Sequence, residues 1–173
     1  MLRLSKQLIV AILLYLPLSI QASLNIGSKA PSFILNDQNN TPHNLEDYKG
    51  SWVILYFYPK DDTPGCTTQA CDFRDAIDRI IASKSTVFGV SLDSVESHKR
   101  FAEKNKLPFS LLSDTGGIVS KAYDSLNNFI SFKSSKRNTF IIDPEGNIAK
   151  IYLSVKPSTH SQMILNDLNQ LQN

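Results

Sequence analysis

The chain has 173 residues, of which 42% are hydrophobic and 20% are charged. That composition suits one globular domain with its own core and excludes an intrinsically disordered chain. There are 18 lysine and arginine residues against 16 aspartate and glutamate residues, and two of the basic residues, Arg3 and Lys6, lie in the first 22 positions. The rest of the chain is therefore electrically balanced, which gives no support for binding to nucleic acid or to a membrane surface.

The first 22 residues have the three-part arrangement of a secretory signal peptide. Arg3 and Lys6 form a basic start, residues 8–20 are mostly apolar, and residues 21–23 end in alanine and serine. The apolar stretch is shorter than the roughly 20 residues that a membrane-spanning helix needs. We therefore expect residues 1–22 to be removed and residues 23–173 to be exported as one domain, to the periplasm of a bacterium. An uncleaved N-terminal membrane anchor is the alternative.

The first half of the mature chain predicts a hairpin, a central strand and a helix. A short strand, Ala30–Leu35, and a return arm, Thr41–Asn44, flank a polar turn and predict an N-terminal hairpin. One helical turn is expected at Leu45–Lys49. Trp52–Tyr58 is apolar throughout, which is typical of a central strand covered on both faces. Apolar residues at helical spacing then predict a long helix over Thr67–Lys84.

The second half continues to alternate between strands and helices. Further strands are expected at Thr86–Ser91, Pro108–Leu112, Asn138–Ile142 and Ile148–Val155. The last two are joined by Asp143–Asn147, whose composition favours a hairpin turn. An exposed helix is expected over Ser94–Lys106, with Ser94 as its N-cap, and a closing helix over Ser158–Leu171. This alternation indicates an α/β fold in which helices cover a sheet.

Cys66 follows the predicted central strand at the point where a helix is expected to begin, and Cys71, the second cysteine of the chain, lies five positions further on. A helix N-terminus carries unpaired N–H groups and about half a positive charge. That field favours the thiolate form of a cysteine, which is the reactive form. We therefore interpret Cys66 as a redox nucleophile.

The spacing of Cys66 and Cys71 restricts how they can pair. On one regular helix, positions five apart have Cα atoms about 8.6 Å apart, whereas a disulfide tolerates at most about 7 Å. Two interpretations stay open. A permanent bridge would occupy a turn that is never helical, whereas a redox-active dithiol would be helical when reduced and would unwind on oxidation.

No metal site is predicted, and the other polar residues have structural interpretations. Zinc binding by the cysteine pair would need two further ligands at suitable spacing. Three histidines stand singly without such spacing and are interpreted as surface residues: His43, His98 and His160. Lys60–Asp62 is interpreted as a solvated loop, and Arg74 as a partner in a structural ion pair.

Residues 57–74 resemble the active-site segment of the peroxiredoxins. Pro59, Thr63 and Cys66 have the Pro-x3-Thr-x2-Cys spacing of that family. The longer segment is similar to the Q type, also called bacterioferritin comigratory protein, and residues 137–146 resemble a second family block. The resemblance extends from about residue 26 to the C-terminus.

The resemblance implies a thioredoxin-like α/β fold, with a central mixed sheet flanked by helices, and neither a metal nor an organic cofactor. It also implies an atypical two-cysteine mechanism with Cys66 as the peroxidatic cysteine, Cys71 as the resolving cysteine and a Cys66–Cys71 disulfide. Further catalytic residues are implied at Thr63, Arg137 and Pro59. The resemblance alone connects Arg137 to the cysteines.

Two features of the chain depart from the family pattern. Gln69 stands where many members carry glutamate, so this chain has no acid at that position. The leader over residues 1–22 is not typical of the Q type. The usual cytoplasmic reductant is therefore also in question.

The expected function is the thiol-dependent reduction of hydrogen peroxide and organic hydroperoxides, an antioxidant activity. The expected reductant is thioredoxin or an exported thioredoxin-like protein. The mature protein is expected to be a monomer, to bind no nucleic acid and to make no stable contact with a membrane.

Two other functions compete with this one. A thiol–disulfide oxidoreductase or a copper-delivery protein of the same fold usually has two or three residues between its cysteines, whereas this chain has four. Copper delivery also requires a well-placed histidine. The third possibility is a non-catalytic binding module with a structural disulfide.

Overall fold

The computed structural model describes residues 24–129 and 132–173, so the expected leader at residues 1–22 lies outside the described residues. Within these ranges the strands are β1 (Ile34–Asn36), β2 (Pro42–Asn44), β3 (Trp52–Phe57), β4 (Ser85–Ser91), β5 (Ser110–Ser113), β6 (Leu126–Phe129), β7 (Phe132–Ser135), β8 (Thr139–Ile142) and β9 (Ile148–Tyr152). The α-helices are α1 (Pro64–Asp75), α2 (Ile77–Ala82), α3 (Val95–Asn105), α4 (Ile118–Ala122) and α5 (His160–Leu171). Short 3-10 turns lie at Leu45–Tyr48 and Pro157–Thr159.

The central sheet has five strands in the order β5-β4-β3-β8-β9. β3 pairs in parallel with β4 and antiparallel with β8, so the sheet is mixed. Tyr56 lies opposite Gly89 in the β3–β4 register. A Cβ atom at Gly89 would lie 2.7 Å from the Tyr56 hydroxyl oxygen. The absence of a side chain at Gly89 therefore makes room for the buried ring.

The side chains of β3 alternate between two hydrophobic cores on opposite faces of the sheet, as the two-residue period of a strand requires. Ile54 and Tyr56 join the core that also holds Cys66 and buried side chains of α1, α2 and α5. Val53, Leu55 and Phe57 join the other core, beneath α4 and the N-terminal hairpin. Because both faces are covered, the continuous apolar run of β3 is buried, as predicted.

The predicted hairpins and the helix cap after β4 are confirmed. β1 and β2 pair antiparallel, although β1 is shorter than the expected strand Ala30–Leu35. β8 and β9 are joined by the predicted turn, in which the amide of Asn147 donates to Asp143 Oδ1 at 2.7 Å. Ser94 caps α3, since its hydroxyl oxygen accepts from the amide of Ser97 at 3.3 Å.

The prediction of one helix over Thr67–Lys84 was wrong in two respects: the helix begins earlier, and it is divided into α1 and α2. α1 begins at Pro64, because proline suits the first position of a helix, and Cys66 therefore lies inside its first turn. Ala76 then leaves the helical conformation, with φ −103° and ψ 1°, and α2 begins at Ile77. The apolar residues kept their period across this break, so their pattern alone did not reveal it.

Three elements were not predicted: α4 and the antiparallel hairpin formed by β6 and β7. α4 has only five residues, which is too short to produce a clear apolar period. Asn127, Asn128 and Lys133 give the hairpin a polar composition that does not favour strands. Among the described residues, no helix is both long and apolar enough to span a membrane.

Candidate active site

The thiol of Cys66 lies at the N-terminus of α1, directly after the loop that leaves β3. Thr63 is the N-cap residue, and its carbonyl accepts the hydrogen bond from the amide of Thr67 at 2.9 Å. The amides of Gly65 and Cys66 precede that bond and therefore have no acceptor within the helix. Cys66 is only 1% exposed. The structure thus places a nearly covered thiol in the positive field of a helix start.

Arg137 contacts this thiol from the segment between β7 and β8. Its Nη2 atom donates to Cys66 Sγ at 3.4 Å, and its Nη1 atom donates to Gln69 Oε1 at 2.5 Å. A Cβ atom at Gly65 would lie 3.2 Å from Arg137 Nη2. The glycine therefore allows the guanidinium to approach the start of the helix, and 71 residues of sequence separate the two groups that meet there.

Gln69 connects Arg137 to His160, and both Gln69 and His160 are fully buried. Gln69 Nε2 donates to His160 Nδ1 at 2.9 Å. Because arginine can only donate, the amide oxygen of Gln69 must face Arg137 and its NH2 group must face the imidazole. This arrangement assigns the proton of the neutral ring to Nε2, an atom that has no partner among the described residues.

His160 is held in its neutral form. Burial lowers the pKa of His160 to about 4, and the positive charge of Arg137 acts in the same direction. A neutral imidazole has an unprotonated nitrogen that can accept from the amide of Gln69. The Gln69–His160 hydrogen bond and the low pKa therefore require the same protonation state.

Thr63 and Pro59 lie in the loop between β3 and α1, which leads to Cys66. The Thr63 hydroxyl donates to the Lys60 carbonyl at 3.0 Å, which leaves its oxygen able to accept a hydrogen bond from a ligand. Pro59 and Arg137 line a groove of about 760 Å³, together with the 69%-exposed side chain of Leu153. The structure thus brings Pro59 and Arg137 to one opening near the nearly covered thiol.

Cys71 lies on the same helix as Cys66, is half-buried, and both thiols are free. The structure therefore describes the helical dithiol that was one of the two open interpretations. At five positions of helix the Cα atoms are too far apart for a disulfide. A bond between them requires the turn that contains Gln69 to change shape.

Asp61 was wrongly predicted to be solvated, although its neighbours Lys60 and Asp62 are exposed as expected. Asp61 is 5% exposed and accepts hydrogen bonds from Tyr58 at 2.7 Å and Ser97 at 2.8 Å. Burial opposes its ionisation, but these bonds and His98 at 2.9 Å outweigh burial and lower the pKa of Asp61. These hydrogen bonds fix the position of the loop that precedes α1.

The prediction that the histidines lie on the surface was wrong. His98 and His160 are fully buried, and His43 is half-buried with its ring 2.6 Å from the Tyr48 hydroxyl. Buried imidazoles need hydrogen-bond partners, and those of His98 and His160, namely Asp61 and Gln69, are 37 and 91 positions away in sequence. The signal for their burial was helical spacing, since His98 shares a helix face with Phe101 and Ala102, and His160 shares one with Ile164 and Leu168.

The predicted structural role of Arg74 is confirmed. Its Nε atom lies 2.8 Å from Asp75 Oδ1, and its Nη1 atom donates to the carbonyl of Asn105 at 2.9 Å. Arg74 thus ties α1 to the end of α3. In residues 24–129 and 132–173 no group of three or more histidine, cysteine or acidic side chains is arranged to hold a metal ion.

Comparisons with known proteins agree on one family. The family model described as AhpC/TSA matches residues 26–151. Peroxiredoxin Bcp of Bacillus subtilis is 40% identical over 153 residues, which cover 86% of this chain and 98% of that protein. Two solved structures give the same result, and their strand and helix arrangement confirms the expected thioredoxin-like α/β fold.

The first of these structures is a cysteine-to-serine variant of PrxQ from Xylella fastidiosa. It has a TM-score of 0.82 and 34% identity, and the match covers 88% of this chain and 99% of that one. The second is the bacterioferritin comigratory protein of Xanthomonas campestris, studied for its alkyl peroxide reduction activity. It has a TM-score of 0.76 and 32% identity, and the match covers 82% of this chain and 92% of that one.

The low pKa of His160 predicts a loss of stability in mild acid. The folded pKa of about 4 lies below the unfolded value of 6.5, so between these pH values the unfolded chain binds more protons. Acidification from pH 7 to pH 4 should therefore lower the free energy of unfolding by about 3 kcal/mol through this residue. Urea unfolding at pH 7, 5.5 and 4 measures the change. The variant His160→Phe should lack this component, and an unchanged pH dependence in that variant would contradict the assignment.

Proposed function

The chain belongs to the AhpC/TSA family as a peroxiredoxin of the Q type, and from this membership we propose that Cys66 is the peroxidatic cysteine of a thiol-dependent peroxidase. The single observation that carries the assignment is the 3.4 Å contact between Cys66 Sγ and Arg137 Nη2 at the start of α1. A thiol–disulfide oxidoreductase or a copper-delivery protein is not favoured, because the matching relatives are peroxiredoxins.

In the first step the Cys66 thiolate attacks one oxygen of the hydroperoxide. The S–O bond forms and the O–O bond breaks, so that Cys66 becomes a sulfenic acid. The departing oxygen takes up a proton and leaves as water or as an alcohol. Arg137 has donors beyond those given to Cys66 and Gln69, and with the amides at the start of α1 it stabilises the charge that develops on the oxygens.

Thr63 and Pro59, in the loop that precedes α1, assist the same step. The Thr63 hydroxyl donates its hydrogen bond to the Lys60 carbonyl. Its oxygen can therefore accept a hydrogen bond from the O–H of the hydroperoxide. Pro59 lies at the mouth of the groove and limits the access of water to the thiolate. Both residues orient the peroxide for attack by Cys66.

In the second step the Cys71 thiolate attacks the sulfenic sulfur of Cys66. The S–S bond forms, the S–O bond breaks, and the oxygen leaves as water after taking up a proton. A dithiol reductant then exchanges with the Cys66–Cys71 disulfide and returns both thiols. Cys66 is buried and Cys71 is half-buried while α1 is wound. The unwinding that forms the disulfide therefore also exposes its sulfur atoms to the reductant.

The groove beside Arg137 supports organic hydroperoxides as substrates besides hydrogen peroxide. Its volume of about 760 Å³ is larger than hydrogen peroxide requires, and the exposed apolar side chain of Leu153 lies along it. The Xanthomonas campestris relative was studied for alkyl peroxide reduction. An alkyl chain can therefore lie against Leu153 beside Arg137, the groove residue that contacts Cys66.

The leader, the reductant and the oligomeric state belong to the same proposal. Residues 1–22 direct export to the periplasm and are then removed, on the evidence of their basic, apolar and small-residue order. A thioredoxin-like protein of the same compartment is then the reductant that can reach the disulfide. The mature protein acts as a monomer, since α1 carries both cysteines that the cycle uses.

Substitution of each cysteine should separate the two chemical steps. Cys66→Ser removes the nucleophile and should abolish peroxide reduction, whereas Cys71→Ser should still consume one equivalent of peroxide and then stop as a sulfenic acid. Stopped-flow oxidation by hydrogen peroxide and by an alkyl hydroperoxide, followed by mass spectrometry, measures both results. Full peroxidase activity in Cys66→Ser would refute the assignment.

Arg137→Lys should slow the first step strongly. Lysine keeps the positive charge but lacks the planar fork that contacts Cys66 and Gln69 together. We expect kcat/KM for peroxide to fall about 100-fold, as happens when a donor to the transition state is removed. The matched control is Arg79→Lys, since Arg79 is an exposed arginine that bonds Gln162. Equal rates in the two variants would contradict the role of Arg137.

Export should remove the leader. Protein recovered from the periplasm of an expressing bacterium should have an intact mass that corresponds to the loss of about 22 residues, the length of the segment with signal-peptide features. Recovery of the full-length chain from the membrane fraction would instead support the N-terminal anchor.

A further inference from the structure

Two polar contacts fasten α1 to α5 next to the segment that separates the two cysteines. Gln69 Nε2 donates to His160 Nδ1 at 2.9 Å, and the amide of Ser161 donates to Asp72 Oδ2 at 2.7 Å. Gln69 and His160 are both fully buried, so each satisfies the other where solvent does not reach in the closed structure. Opening the first two turns of α1 therefore requires the loss of a well-satisfied buried hydrogen bond.

The second step of the proposed cycle requires that opening. A Cys66–Cys71 disulfide needs Cα atoms closer than a regular helix allows, and Gln69 lies between the two cysteines. Unwinding this segment withdraws the amide of Gln69 from both Arg137 and His160. His160 would then have both ring nitrogens without partners, which opposes the change.

We propose that His160 is a positioning residue that acts through Gln69 to hold the reduced α1 closed over Cys66, and that it thereby sets the balance between disulfide formation and over-oxidation of Cys66. This inference rests on the proposed peroxidase function. Nothing in the two-step cycle itself requires α5 to take part.

The balance concerns two fates of the sulfenic acid. In one, the Cys71 thiolate attacks the Cys66 sulfur, the S–S bond forms, and the oxygen leaves as water. In the other, the Cys66 sulfenate attacks a second hydroperoxide, a new S–O bond forms as the O–O bond breaks, and a sulfinate and an alcohol or water result. The longer α1 stays closed, the longer the sulfenate survives to meet a second peroxide.

A glutamine at position 69 suits this role because it can donate to a neutral imidazole while its oxygen accepts from Arg137. A glutamate would present only acceptors in its ionised form, so His160 would have to donate. Of the substitutions at position 160, phenylalanine keeps a ring but removes the acceptor. Asparagine keeps an acceptor oxygen near the place of Nδ1.

The test compares His160→Phe and His160→Asn with the matched control His43→Phe, whose histidine bonds Asp37 and Tyr48 and not Gln69. Each protein receives one equivalent of peroxide, and rapid quenching with mass spectrometry gives the rate of disulfide formation. A second series raises the peroxide concentration in the presence of a dithiol reductant and measures the fraction of sulfinate.

His160→Phe should form the disulfide about fivefold faster, the factor that corresponds to one neutral hydrogen bond, and should need correspondingly more peroxide to reach the same fraction of sulfinate. His160→Asn and His43→Phe should behave like the wild-type protein. An unchanged or slower rate in His160→Phe would overturn the proposal, as would an equal acceleration in His160→Asn.

A measurement on the wild-type protein covers the case in which His160→Phe does not fold. Nuclear magnetic resonance of the imidazole should show a neutral, Nε2-protonated ring in the dithiol state, with an Nδ1 signal that shifts in the disulfide state because the Gln69 donor has been withdrawn. Identical His160 signals in the two states would overturn the proposal. If the wild-type protein reduces no peroxide, the proposed function itself fails, whereas normal turnover with an unchanged balance refutes only the role of His160.

Discussion

The guanidinium of Arg137 binds two side chains of the same helical turn, the Cys66 thiol at 3.4 Å and the Gln69 amide at 2.5 Å. Most of the site depends on this pair of contacts. The guanidinium can approach the helix because Gly65 has no side chain, and it reaches the thiol because β8 lies beside β3 in the central sheet. A permanent cation and the N-terminus of α1 thus act on one sulfur that is almost completely covered.

The same helical turn is subject to two opposing demands. The first step of the proposed cycle needs α1 to be wound, because only then do the start of the helix, Cys66 and Gln69 face Arg137 together. The second step needs the turn between Cys66 and Cys71 to open, because a regular helix holds their Cα atoms too far apart. In the proposed cycle, the contacts that α1 makes with α5 therefore influence the passage from one step to the other. Catalysis and local stability are coupled in this fold through a segment of six residues.

Buried polar groups support both sides of this turn. Beneath the loop that leads into α1, Asp61 accepts hydrogen bonds from Tyr58 and Ser97 and pairs with His98, so the loop has a fixed starting point. On the far side, His160 stays neutral because burial and Arg137 lower its pKa to about 4. The two histidines therefore stabilise opposite ends of the active-site segment. Both belong to the interior of the protein, and neither touches the groove beside Leu153 where the peroxide is proposed to enter.

The sequence by itself determined the α/β class, the buried central strand and the position of Cys66 near a helix start, because apolar periodicity and helix-capping chemistry act over a few neighbouring residues. The Pro59, Thr63 and Cys66 spacing also gave the family. Only the tertiary structure decided that Arg137 meets Cys66, that Gln69 bonds His160 and that Asp61 is buried. Those partners are tens of residues apart in the chain and meet through the pairing of β3 with β8 and the packing of α3 and α5. No local pattern encodes such a meeting, since a polar residue is buried only where the fold supplies its hydrogen-bond partner.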